Sequence, residues 1–236
     1  MKSRAKLASS RVLTPATYTL IGINVLVFVW MAAASSRALG GNITQLHADL
    51  GLGKAILQGR TADFDNTPIP AHQWYRLVTS GFIHFGIFHI AMNMLLLYQL
   101  GALLERAIGS LKFTAMYFAS LLAGSLGVLL VDTAGISGGA SGAVFGLMAG
   151  AAVGLHRRGV NVFSTGIGTT LMLNLFLTFT ITGISIGGHV GGAIGGAICG
   201  FVLLAPTWRP SNKWIAYATP AAVGLVSLIG AFIVVG

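Results

Sequence analysis

The chain has 236 residues, of which 55% are hydrophobic and only 8% charged, against about 25% charged in an ordinary soluble domain. That composition excludes a water-soluble globular protein and identifies an integral membrane protein. The net charge of +9 could suggest nucleic acid, but the charges are placed by topology, and no nucleic-acid partner is read from them.

Seven apolar stretches of about spanning length follow in chain order, at 17–34, 85–104, 113–131, 141–155, 162–181, 186–205 and 214–235. They predict an all-α, polytopic transmembrane bundle. We divide it into an N-terminal segment at 1–16, a membrane core at 17–205 and a linker with a last span at 206–236. One long connection, the first loop, covers about 35–81. The first stretch also has the outline of a cleavable export signal, with basic residues ahead of it and Ala32-Ala33-Ala34 at its end. It is long enough to span, and we read it as the first helix. With the N-terminus inside, the cytoplasmic side holds Lys2, Arg4, Lys6, Arg11, Arg106, Lys112, Arg157, Arg158, Arg209 and Lys213. The outside holds only Arg37, Lys54, Arg60 and Arg76, which is the positive-inside bias of a multi-span protein. Cys199, the single cysteine, excludes an internal disulfide and reads as a small packing residue.

Two glycine ladders occupy the fourth and sixth spans. One runs Ser141, Gly142, Gly146, Gly150 and Gly154, and the other Gly188, His189, Gly192, Gly196 and Gly200. Glycine at every fourth position clears one face of a helix and lets two helix backbones approach closely in a membrane. Polar groups inside spans are costly and point to function. They are His84, His89 and Asn93 on span two, Ser141 on span four, Asn174 on span five and His189 on span six. His89, Ser141 and His189 lie 14–16 residues before the inner ends of their spans, about 21–24 Å at 1.5 Å per residue. Three separate segments therefore agree on one depth, below the outer surface of a core about 30 Å thick.

Span four starts near Ser141 and is too short to cross alone, so the irregular stretch before it must line a shielded or watery cavity. A serine at a helix start has free backbone N–H groups beside its hydroxyl, suited to a developing negative charge. His89 and Asn93, four apart, share a helix face and could donate to the same oxyanion, while helical counting turns His84 to another face. Glu105 and Asp132 fall at span ends, away from His189, so a Ser–His pair is expected rather than a triad with a carboxylate. Asn174 is expected to bond across helices, and His47, His72 and His156 to be solvated.

Together these residues resemble the rhomboid family of intramembrane serine proteases. The matching pieces are Trp74-Tyr75-Arg76, His84 to His89 with Asn93, Gly101 to Glu105-Arg106, Gly139-Ala140-Ser141-Gly142, and Gly188-His189 with Gly192 and Gly196. The resemblance runs from about Trp74 to Ala205, with the first span completing a six-helix core and 214–235 as an added C-terminal helix. It implies Ser141 as nucleophile and His189 as general base, with His89, Asn93 and the Ser141 backbone N–H as oxyanion hole. Gly139 and Gly142 would flank the serine, and Arg76 and Glu105 would be structural. It implies a bacterial-type protein of the inner (plasma) membrane that cleaves transmembrane substrates with its site toward the outer side, using no metal or cofactor. Two departures stand out: Phe145 replaces a frequent tyrosine, and Tyr75 separates the tryptophan from Arg76.

Other readings weigh less. A metal held by His84, His89 and His189 lacks both the spacing and a companion carboxylate. Glycine-broken half-spans also mark small-solute transporters, but the two halves show no repeated polar pattern. A catalytically inactive client-binding relative would typically lack the serine or the histidine. The apolar first loop, with Leu50, Leu52, Ile56, Leu57, Phe64 and Trp74, is expected to brace the helices.

Overall fold

The computed structural model describes residues 14–132, 135–208 and 212–236. Lys2, Arg4, Lys6, Arg11 and Arg209, used above for orientation, lie outside the described residues. The helices are α1 (Pro15–Ala34), α2 (Gln45–Leu50), α3 (Lys54–Leu57), α4 (Arg76–Thr79), α5 (Ile87–Ile108), α6 (Ser110–Val131), α7 (Ser141–Arg157), α8 (Ile167–Thr180), α9 (Ile186–Leu203) and α10 (Lys213–Val235). Five of them, α1, α5, α6, α9 and α10, are long and apolar enough to cross a membrane. The fold is an all-α, polytopic membrane bundle.

Two expected spans are shorter than a crossing. α7 has 17 residues, as its late start at Ser141 implied. The stretch expected at 162–181 is a correction: it divides into a 3-10 turn (Val162–Thr165) and a 14-residue α8. Gly166, at φ +77°, takes the left-handed conformation that glycine tolerates, and this breaks the run.

The centre of the bundle is α9, packed between α6 and α7. Its glycines make that possible on two faces. A Cβ at Gly192 would sit 2.0 Å from Gly142 O, one at Gly196 2.1 Å from Gly146 O, and one at Gly200 2.4 Å from Gly150 Cα. On the next face, Gly187 and Gly191 meet Gly127 and Ala123 of α6 as closely, at 2.1 and 2.4 Å from their carbonyl oxygens. The α6-facing stripe was not singled out in the sequence. Cys199 is fully buried within this core, and α10 covers α6 and α9 from outside.

α1 is held by an acid from another helix. Thr14 makes no side-chain cap at its start. The Glu105 carboxylate instead accepts from Ala16 N (2.9 Å), Thr17 N (2.8 Å), Thr17 Oγ1 (2.6 Å) and Ser110 Oγ (2.6 Å). An acceptor anion at a helix N-terminus meets both unpaired N–H groups and the positive end of the dipole. Gly101, one turn earlier, lets Thr17 come close: its Cβ would lie 2.6 Å from Thr17 Cγ2. Glu105→Ala should therefore cost about 2 kcal/mol, read as a lower thermal unfolding midpoint in detergent. An unchanged midpoint would remove this brace from the account.

The first loop braces the helices. Arg76, 1% exposed, donates from one terminal nitrogen to Ala48 O (2.6 Å) and Gly51 O (2.8 Å), and from Nε to Gln73 Oε1 (2.7 Å). A planar fork of donors suits this role better than a lysine would. Leu52 and Leu57 pack with Leu77, Val128, Leu129, Ala231 and Val235, and Trp74 meets Phe232 of α10 edge-on at 4.2 Å. Phe64 alone of the loop's apolar set is largely exposed. His47 is a correction: it is fully buried rather than solvated. Its Nδ1 accepts from Thr44 N at 3.0 Å, and its Nε2 meets His84 O at 3.2 Å. Burial lowers its pKa below the ordinary histidine value.

Candidate active site

Ser141 is the first residue of α7, and His189 lies in the first turn of α9. The close α7–α9 contact brings His189 Nε2 to 2.8 Å from Ser141 Oγ. Phe145, one turn after the serine, stacks flat on the imidazole with centroids 4.1 Å apart and planes 16° apart. A phenyl ring can hold the imidazole this way without the hydroxyl of a tyrosine. The start of α9 is capped twice. Ser185 Oγ accepts from Gly188 N at 2.9 Å, and Asp132 takes Ser185 Oγ at 2.5 Å and Gly187 N at 3.1 Å. Asp132 thus anchors the helix that carries His189 and makes no hydrogen bond to the imidazole itself.

The third group on the imidazole is a threonine. Thr178 Oγ1, near the end of α8, lies 2.7 Å from His189 Nδ1. Where the sequence offers no carboxylate, a neutral hydroxyl takes the orienting position. The available signal was a threonine one helical turn after Asn174, on a short polar-spotted span. Asn174 itself is corrected: its amide donates to Thr170 O within α8, not across helices.

Beside the serine, Gly139 has φ +123°, and a Cβ there would lie 2.7–2.8 Å from the His89 imidazole. Both the conformation and the space require glycine. Phe85 N–H donates to His89 Nδ1 at 3.3 Å, which leaves Nε2 as the N–H of a neutral ring. Asn93 donates to His89 O at 2.9 Å. The backbone N–H of Ser141, as the first of α7, has no acceptor within its helix. A Cβ at Gly142 would lie 3.2 Å from Gly188 O and 3.6 Å from Gly124 Cα.

His84 does not face away as helical counting implied. It is fully buried, meets the His89 ring edge-on at 5.1 Å, and its Nε2 accepts from Ala140 N at 3.4 Å, directly before the serine. That same segment is fixed by the first loop, through Leu52 N to Ser137 O (2.9 Å) and Ser137 N to Leu52 O (2.7 Å).

Ser141, His89, Asn93 and His189 line one cavity of about 400 Å³. α5 contributes Met92 and Leu96 to its wall, α8 contributes Leu177, and Ile181 follows just after that helix. The arrangement is a hydroxyl paired with an imidazole, with N–H donors beside it, inside a mostly apolar space.

The Rhomboid domain matches residues 71–206 of the chain. The chain is 35% identical over 124 residues to "Rhomboid protease GluP" of Bacillus subtilis (strain 168), over 51% of this chain and 24% of that protein. It is 33% identical over 166 residues to "Rhomboid-like protease 1" of Toxoplasma gondii, over 65% of this chain and 55% of that protein. With "RHOMBOID-like protein 1" of Arabidopsis thaliana it shares 44% over 77 residues, 33% of this chain and 20% of that one. The matches therefore span between a fifth and about half of these relatives' own lengths. With more than half of its length matched to that domain, the chain belongs to the rhomboid family.

Proposed function

We propose that the chain is an intramembrane serine endopeptidase that hydrolyses peptide bonds in or near the transmembrane helices of other membrane proteins. The observation that carries this reading is the 2.8 Å contact between Ser141 Oγ and His189 Nε2 beside the His89 and Asn93 side chains. Ser141 Oγ attacks the scissile carbonyl carbon as its proton passes to His189 Nε2. The oxyanion is met by the Ser141 backbone N–H, His89 Nε2–H and the Asn93 amide. His189 then returns the proton to the leaving amine, giving an acyl-enzyme that water, deprotonated by the same imidazole, hydrolyses.

A helical substrate must unwind to present its backbone to Ser141, so small and helix-weakening residues near the cut are favoured. The cavity wall between α5 and α8 supports entry from the bilayer on that side. In this reading 17–205 is the catalytic core, 206–236 adds a helix outside it, and the site faces the outer side of the inner (plasma) membrane.

Two measurements test it. A fluorophosphonate probe should label the folded chain at Ser141, located by peptide mass mapping; a folded but unlabelled chain would count against the nucleophile. His89→Ala and Asn93→Ala should each lower kcat on a transmembrane substrate, toward the 100–1000-fold scale of a lost oxyanion donor. Full turnover in both would remove them from the oxyanion hole.

A further inference from the structure

The Ser141–His189 contact fixes a distance, but an imidazole works as a base only if Nε2 carries the lone pair and Nδ1 the proton. The neighbouring donors decide this. The Thr178 hydroxyl has one hydrogen and two partners at 2.7 Å, Asn174 O and His189 Nδ1. In one arrangement Nδ1–H donates to Thr178 Oγ1, Thr178 donates to Asn174 O, and Ser141 donates to Nε2. Every donor then has an acceptor. In the other, Nε2–H donates to Ser141 Oγ and Thr178 donates to Nδ1. The Ser141 hydrogen is then left without an acceptor among the described hydrogen bonds, and the contact with Asn174 O is lost. The first arrangement keeps all three hydrogen bonds and the second only two, so the first is favoured.

We propose that Thr178 is a positioning residue that selects the reactive tautomer of His189. This rests on the reading of His189 as general base. A threonine bonded to the carbonyl one turn back has its χ1 set by the helix, so α8 fixes where the oxygen stands. Thr178 is 1% exposed, and it and Gly168 are the buried residues of an otherwise peripheral α8. When His189 takes the serine proton, the ring becomes a cation with two N–H groups, and the Thr178 oxygen still accepts from Nδ1–H. No proton passes to the threonine. The hydroxyl does with a neutral oxygen what an orienting carboxylate does in a triad.

The test compares the full chain with Thr178→Val, which keeps the shape and removes the oxygen, and Thr178→Ser, which keeps the oxygen. Thermal midpoints in detergent establish folding for each. Thr178→Val should lower kcat about tenfold or more, leave KM within about twofold, and slow fluorophosphonate labelling in step. Thr178→Ser should recover most of the rate. Nitrogen NMR of histidine-labelled protein, with His189→Ala to assign the signal, should show the Nδ1–H tautomer in the native chain and a mixture in Thr178→Val. Native kcat in Thr178→Val, no recovery in a folded Thr178→Ser, or an Nε2–H tautomer in the native chain would each overturn the proposal. The NMR readout needs no turnover. A folded native chain that neither cleaves nor labels overturns the function reading, while the tautomer still decides the role of Thr178.

Discussion

Gly192→Ala should lower the thermal unfolding midpoint in detergent sharply and reduce cleavage at the same time. The added methyl would lie 2.0 Å from the Gly142 carbonyl oxygen and 2.7 Å from its carbon. Both are backbone atoms, so no side chain can turn aside, and α7 must move away from α9. Overpacking of this kind costs about 1–3 kcal/mol, occasionally more. The displaced segment carries Ser141, so the 2.8 Å contact with His189 lengthens with it, and misplacing a catalytic group by about 1 Å can cost 100-fold. Gly192→Leu should fail to fold. Gly22→Ala in α1 is the matched control, because nothing lies within 4 Å of a Cβ there. It should be neutral or stabilising by up to about 1 kcal/mol, since alanine is the better helix former. A Gly192→Ala chain as stable and active as native would show that the ladder does not set the distance between serine and histidine.

How much was legible beforehand divides along physical lines. The uninterrupted apolar runs placed α1, α5, α6, α9 and α10 within a few residues, since hydropathy and length alone decide a span. The start of α7 at Ser141 was legible too, from the glycine-rich stretch ahead of it. α8 was not, because Gly166 breaks a stretch whose mean apolarity still looked continuous. Helical periodicity does not extend to His84, because Gly86, with φ +89°, lies between it and the start of α5. The His84 side chain is aimed by the loop, not by the helix, and reaches the His89 ring. His47 reads as solvated because it falls in a loop, and only tertiary contacts bury it against Phe85 at 4.5 Å. The second glycine face, Gly187 and Gly191, was hidden by the first: both belong to one glycine-rich run, and only the neighbour in space separates them.

Ser141→Ala and His189→Ala should each remove cleavage of a transmembrane substrate altogether. In the proposed mechanism the two groups act as one unit, so losing either removes the activated nucleophile, and the double variant should be no slower than the singles. Neither change disturbs a buried backbone partner: Ser141 sits at a helix start facing the cavity, and alanine is a good helix former. Ser141→Ala should keep a native-like unfolding midpoint, and His189→Ala, which empties the space under the Phe145 ring, should lower it modestly while remaining folded, separating lost chemistry from lost fold. Residual rates of Phe145→Ala should fall between these and native, because the ring stacked on His189 at 4.1 Å restrains the imidazole without reacting.

The most direct measurement reconstitutes the native chain, Ser141→Ala and His189→Ala into liposomes with one labelled transmembrane substrate and follows the products by mass. The native chain should cut the substrate at a defined bond within or beside its membrane-spanning helix, and neither variant should release that product. Release of the same product at the native rate by a folded Ser141→Ala or His189→Ala chain would contradict the proposed mechanism.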